Sequence, residues 1–382
     1  MIRFAILLLA VWIPAFGAQP NIVFILTDDL GINDLRCYGR AEHNTPNLDR
    51  LASEGRRYTS AYCAQPICSP SRAALMTGKS PARLHLTTFL PGRANAPSQM
   101  LLHPEIQMHL PLQEKTMAEY FKENGYATAL VGKWHLGGRG FQPTDQGFDV
   151  YHPGKANTTP TETEGGKGEY DLTRASQEFI KQNRSRPFLL FLSHNTPHIP
   201  FTAQSRLIEK NKAAFNPTYA ALIETLDDSV GELLKTIDEL QLREQTIVIF
   251  TSDNGGLHVP ELAHQTITHN RPFRAGKGFL YEGGLRIPLI VRWPGKIAAG
   301  EVTGQPVNNS DWVPTLLQWA GISADRPFDG LPLDESKPDR TIFWHFPHYT
   351  NQGSQPGGAV RRGDWKLIEH YEDGRHELFN LR

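Results

Sequence analysis

Cysteine is scarce here: three residues, Cys37, Cys63 and Cys68, serve a chain of 382. So few cannot form a disulfide framework, and their spacings match no paired zinc-knuckle pattern. Pairing Cys63 with Cys37 would leave Cys68 odd. Excess charge of either sign is missing too, since 39 Lys and Arg stand against 40 Asp and Glu for a formal net charge of -1. That excludes the electrostatic footprint of a nucleic-acid binder or of a protein held on an anionic membrane, so any anion must be gripped locally. Long apolar runs are also lacking. The run at residues 4–13 is ten positions long where a bilayer needs roughly 20, which excludes stable membrane insertion. Preceded by Arg3 and followed by Pro14 and small residues, it reads as a signal peptide over 1–18 and predicts an exported protein, soluble in the periplasm or secreted. No cysteine near the expected cleavage after Gly17 or Ala18 could accept a lipid.

What is present is ordinary globular composition, 39% hydrophobic, in a length that suits one large domain with a smaller one. Four segments share a pattern in which an apolar, β-branched or aromatic run stops at a polar cluster. They are NIVFILTDD (21–29), YATALVGKWH (126–135), PFLLFLSHNTPH (187–198) and TIVIFTSDNGG (246–256). Near-continuous apolar runs of this length predict strands covered on both faces, hence an α/β fold with a mainly parallel sheet sandwiched by helices. Helices are expected between them, at TMAEYFKENGY with Gly125 as its stop, and at 219–242, where Leu222, Leu226, Val230, Leu233, Ile237 and Leu240 recur at helical spacing. The polar stretch 157–168 is expected to be a mobile loop. From about residue 326 the pattern changes to short Pro- and Gly-punctuated segments, TIFWHF, GAVRRGDWKLIEH and HELFNL, which predict a C-terminal antiparallel β subdomain over 326–382 behind a catalytic domain over 19–325.

In open α/β sheets the loops at the carboxyl ends of the strands converge on the ligand site. Asp28 and Asp29 follow one strand, and Asp253 with Asn254 follow another. Four hard oxygen-bearing side chains suit Ca²⁺ or Mg²⁺, although a single such pair would equally cap a turn. In CSPSRAALMTG, Ser69 is placed as an N-cap with Pro70 at the first helical position, so that backbone N–H groups and Arg72 offer an anion site. GKWHLG brings Lys133 and His135 to one strand end, where alternation aims both to the same side. SHNTPHIP adds His194 and His198, and RAGKGFLYEGGLRIP adds Lys277 between glycines that let backbone approach a ligand.

These residues together resemble the type I sulfatases of the alkaline phosphatase superfamily over nearly all of 20–382. CSPSR followed by LMTG is similar to that family's Cys-x-Pro-Ser-Arg signature, in which the cysteine becomes formylglycine; TDDLG, GKWHLGG, PHIP, SDNGG and GKGFLYEGGLRIP follow in family order. The resemblance implies a sulfuric ester hydrolase, arylsulfatase-like, acting on a sulfated small molecule or carbohydrate. It implies Asp28, Asp29, Asp253 and Asn254 as calcium ligands, completed by the modified Cys68, with a formylglycine-generating enzyme as the maturation partner. Arg72 is implied to hold the aldehyde hydrate, and Lys133 and Lys277 to grip sulfate. His135 is implied as the base on the formylglycine hydroxyl. His198 is chosen over His194 as the acid on the leaving oxygen because His-x-Pro fits HIP, and His194 is left substrate-facing or behind the site.

A phosphodiesterase or phosphonate monoester hydrolase of the same superfamily is the alternative, and a binding protein with unmodified Cys68 is the alternative of another class. The segment 82–110, which follows the Cys68 helix, is expected to form loops beside the cleft. Members of the family continue past ELFNL with a further segment and a helix, so the resemblance implies a C-terminal subdomain cut short at Arg382.

Overall fold

The apolar runs become strands with no exposed face, because each is covered by helices on one side and by helices and the second sheet on the other. The computed structural model describes residues 19–155, 159–261, 267–333 and 339–382; the signal peptide expected at 1–18 lies outside them. In chain order the strands are β1 (Asn21–Thr27), β2 (Arg56–Tyr58), β3 (Ala61–Tyr62), β4 (Ala127–Gly132), β5 (Val150–Pro153), β6 (Phe188–Ser193), β7 (Thr246–Ser252), β8 (Leu289–Arg292), β9 (Glu301–Thr303), β10 (Val307–Asn308), β11 (Thr341–Phe346), β12 (Gly357–Arg362), β13 (Trp365–His370) and β14 (His376–Asn380). The central sheet runs β5-β4-β6-β1-β7-β8-β2-β9. Its first five strands are all parallel, and β8 turns antiparallel to both β7 and β2. All four strands expected from sequence lie side by side in that parallel run.

Alternation along β1 divides the core. Ile22, Phe24 and Leu26 join one apolar cluster with Leu75, Met117, Trp312 and Leu316, whereas Val23 and Ile25 join another with Leu48, Phe179, Leu226 and Ile237. The helices therefore form two layers, with α1 (Pro46–Glu54), α4 (Glu169–Asn183) and α6 (Pro217–Glu239) on one face and α2 (Cys68–Thr77), α3 (Met117–Glu123) and α8 (Trp312–Ala320) on the other; α5 (Ser205–Lys210) and α7 (Glu282–Leu285) are short connectors. Strands β11 to β14 form a separate antiparallel sheet, and Ile342, Trp344, Phe346 and Ile368 dock it on the first cluster.

One local expectation is corrected, and two other segments are described. The Cys68 helix is capped by Ile67, in extended backbone with no side-chain cap, and Ser69 sits inside it; its hydroxyl accepts from the Leu90 N–H at 3.1 Å. A serine that is already helical cannot bend back to cap. Cys37 and Cys63 do not pair. Both are free, Cys63 buried with its Sγ 3.3 Å from the Leu285 carbonyl and Cys37 beside Asp49. In the polar stretch 157–168, residues 157 and 158 lie outside the described residues. The remainder is turn, tied by a bridge between Thr161 and Gly165 ahead of α4.

Candidate active site

Strand β1 is followed by Asp28 and Asp29, β4 by Lys133 and β7 by Asp253 and Asn254, while β6 ends in Ser193 and leads into the loop to His198. Because these strands are neighbours and parallel, their carboxyl ends deliver all of these groups to one place. Two backbone features make the delivery possible. Gly132, at φ 112°, lets the end of β4 lie against β6, since a Cβ there would meet the Ser193 carbonyl at 1.9 Å. Asp29 and His135 hold left-handed backbone at φ 66° and 60°, a conformation that non-glycine residues keep only where surroundings impose it.

The assembled groups neutralise one another. Lys277 Nζ donates to Asp29 Oδ2 at 2.7 Å and Lys133 Nζ donates to Asp28. Arg72 donates through Nε to Asp253 Oδ2 at 2.8 Å, and through a second nitrogen to Ser193 Oγ at 2.7 Å and the Lys133 carbonyl at 3.1 Å. The Asp29 N–H is donated to Asp253 Oδ1, and Asn254 Nδ2 donates to Asp29 Oδ1. Burial is the largest influence and raises Asp28 and Asp29, but the cations around them, led by Lys133 for the first and Lys277 for the second, together outweigh it and hold both below the usual carboxylate range. Burial prevails at Asp253 despite Arg72, pushing it up to about 6. The three carboxylates stay close together in a dry site only because three cations are paired with them.

These residues fit a hard divalent cation. Oxygen atoms of Asp28 and Asp29 lie with Cys68 Sγ and a His198 ring nitrogen within 4.8 Å of one another, and Asn254 Oδ1 is buried without a hydrogen-bond partner. Cys68, only 2% exposed, stands 3.5 Å from Asp28 Oδ1 at the start of α2. Burial drives its thiol well above the ordinary range even though Lys133 and Lys277 pull it down, so it is a poor thiolate nucleophile as it stands.

Cys68, Lys277, His135 and His198 line a cavity of about 530 Å³. A second opening of about 550 Å³ reaches Asp28, Lys133, His135 and His198 from another side. Lys133 and His135 thus share the site, although not by strand alternation: β4 ends at Gly132, and the left-handed turn at His135 aims its ring. His135 Nε2 donates to the Leu90 carbonyl at 3.0 Å, leaving Nδ1 bare, and burial followed by Lys133 pulls the ring down to about 3. His198 donates from Nδ1 to the Ile199 carbonyl at 2.6 Å, so Nε2 is its free nitrogen, 3.7 Å from Asp29 Oδ2.

His194 is not in the cleft. It is 0% exposed, its Nε2 is 3.4 Å from Ser229 Oγ on α6, and burial pulls it down to about 3. It stands one residue beyond β6, where the side chain still points into the helix layer, whereas His198 follows the turn through Thr196 and Pro197. Ser193, the Leu90 carbonyl and the cleft-wall residues Phe89, Glu261, Asn351 and Gln352 were not singled out from sequence. They are common residue types in loops, and only the fold brings them to the site.

The family model described as Sulfatase matches residues 20–322, and one described as N-sulphoglucosamine sulphohydrolase, C-terminal, matches 274–382. The chain is similar to N-acetylgalactosamine-6-sulfatase of Canis lupus familiaris, 36% identical over 90% of this chain and 72% of that one. It is similar to arylsulfatase A of Homo sapiens, 35% identical over 92% of this chain and 75% of that one. The crystal structure of Ps i-CgsB superposes with a TM-score of 0.82 at 28% identity, covering 95% of this chain and 86% of that one. The same protein is also known in complex with k-i-k-neocarrahexaose.

Proposed function

The chain belongs to the sulfatase family of sulfuric ester hydrolases, and on that premise we propose that it cleaves sulfate monoesters of carbohydrates with a formylglycine made from Cys68 and a calcium ion. The observation that carries this reading is the convergence of three buried carboxylates and three fixed cations at adjacent strand ends, beside the cavity that Cys68 and Lys277 line. Sugar is favoured as the substrate class because similar proteins are an N-acetylgalactosamine-6-sulfatase and one known with a carrageenan-type hexaose.

Asp28, Asp29, Asp253 and Asn254 would hold the calcium, which supplies Lewis acidity and charge at the sulfate oxygens. Cys68, once oxidised by a formylglycine-generating enzyme, supplies a hydrated aldehyde with two hydroxyls, one for attack at sulfur and one for later release of sulfate. Arg72, locked by Asp253 and Ser193, holds that side chain in a fixed orientation. Lys133 and Lys277 are already directed at the floor, and their ammonium groups grip the sulfate oxygens as charge shifts in the transition state. His198 Nε2, its free nitrogen, delivers a proton to the departing alcohol oxygen. His135 Nδ1, bare and held neutral by burial, accepts the proton of the second hydroxyl. The neutral state that burial forces on His135 is the state a base requires.

Paired sulfate and phosphate monoesters of one phenol test the reaction class. Faster kcat/KM on the sulfate supports a sulfatase; preference for the phosphate, or for a phosphonate monoester, moves the chain to the phosphoryl-transfer relatives. Export is proposed from the leader at 1–18, and an N-terminus at or near Gln19 in the mature protein is the expected result. Among the described residues no helix is long and apolar enough to cross a membrane.

A further inference from the structure

The cavity over Cys68 is not uniformly cationic. Besides Lys277 and the two histidines it is walled by Phe89, Glu261 and Gln352. Gln352 comes from the loop between β11 and β12 and is 8% exposed. Its Nε2 is spent as a donor on Glu261 Oε1, and its Oε1 is buried without a partner. Gln352 Oε1 is itself buried, so the group this wall turns to a guest beside the Asn351 amide is the Glu261 carboxylate, an acceptor carrying negative charge. Acceptors are satisfied by hydroxyl or N–H groups, and they leave a second sulfate or a carboxylate both unpaired and repelled. Phe89 adds an apolar face of the kind on which the C–H side of a sugar ring packs. Lys167, a cation near the second opening, does not offset this arrangement, because it is 1% exposed and its Nζ is donated to the Pro200 carbonyl at 3.0 Å.

We propose that Glu261, presented by Gln352, is a specificity determinant that admits a sugar ring whose only anionic group is the sulfate being cleaved and rejects a ring carrying a second sulfate or a carboxylate beside it. The proposal rests on the sulfatase reading above and narrows it. A like charge held a few ångströms away at a partly buried site slows reaction by on the order of 100-fold.

The test compares kcat/KM for a hexose monosulfate and for the same hexose bearing a second sulfate on the neighbouring carbon, with p-nitrophenyl sulfate as a reference. Wild type is expected to favour the monosulfate by about 100-fold, and E261Q to shrink that ratio by about tenfold or more. The ratio does not depend on how much of the variant is folded. Salt gives a second readout on wild type alone: raising ionic strength from about 0.01 to 1 M shortens the screening length from about 30 to 3 Å, so the preference narrows. Equal rates on the two hexoses, an unchanged ratio in E261Q, or a preference that widens with salt overturns the proposal while leaving the sulfatase reading standing. Failure to hydrolyse all three esters with Cys68 modified removes that reading, and the proposal with it.

Discussion

At His198 the Nδ1–H is committed to the Ile199 carbonyl, so the ring can give a proton only from Nε2; at His194 both nitrogens face protein. His198→Ala is therefore expected to slow esters of poor leaving groups, such as sugar sulfates, far more than esters of acidic phenols. General acids contribute on the order of 10²–10⁴-fold only where the leaving oxygen is basic. The slope of log kcat/KM against leaving-group pKa measures this, and it should steepen for His198→Ala alone. His194→Ala opens a void beneath the sheet and should lower the thermal midpoint instead, by the equivalent of about 2 kcal/mol. The pH dependence follows in sign from the same ring. Burial, then Lys277, pulls His198 down to about 4, and an acid works only while protonated. The ratio of wild-type to His198→Ala rates on a sugar sulfate should rise as pH falls toward that value; a flat ratio contradicts the assignment. Both histidines were visible in SHNTPHIP, and only the turn between them decides which one reaches the cleft.

Strand ends were the most legible elements. A run such as NIVFILT admits no water-facing side, so a parallel, doubly covered strand was its expected fate, and the polar residues after it had to lie at the carboxyl edge. Helix starts were less legible, because a cap depends on one backbone dihedral pair: Ile67, an unlikely cap by residue type, is extended, and Ser69 is helical. The role of Gly132 could not be read at all, since it depends on a contact with Ser193, 61 positions later in sequence. Gly132→Ala is expected to lose at least about 2 kcal/mol, from the left-handed backbone and the collision with the Ser193 carbonyl, and to lose activity by displacing Lys133. Chemical denaturation and turnover of an aryl sulfate check both; a stable, active variant contradicts the account of how β4 meets β6.

On the scale of the whole molecule, the site is held by charge balance among distant segments, with Asp28 and Asp29 from the start of the chain and Asp253 and Lys277 from beyond its middle. Removing calcium should therefore lower both activity and thermal stability, because a ligand that binds only the folded state stabilises it by mass action. Dialysis against a chelator followed by calcium titration tests this, and full activity with no calcium uptake contradicts it. The cleft wall was illegible in the sequence for the same long-range reason. Gln352 lies in a loop of the C-terminal subdomain, between β11 and β12, and lines the same cavity as Cys68, a residue 284 positions earlier. The central claim is that Cys68 matters as the precursor of an aldehyde. Its most direct test is to prepare the protein with graded conversion of Cys68, quantify by peptide mass the fraction that has exchanged sulfur and two hydrogens for one oxygen, and measure aryl sulfate hydrolysis on each preparation. The account predicts activity proportional to the converted fraction and passing through zero. Undiminished activity in protein whose Cys68 remains a thiol would contradict it.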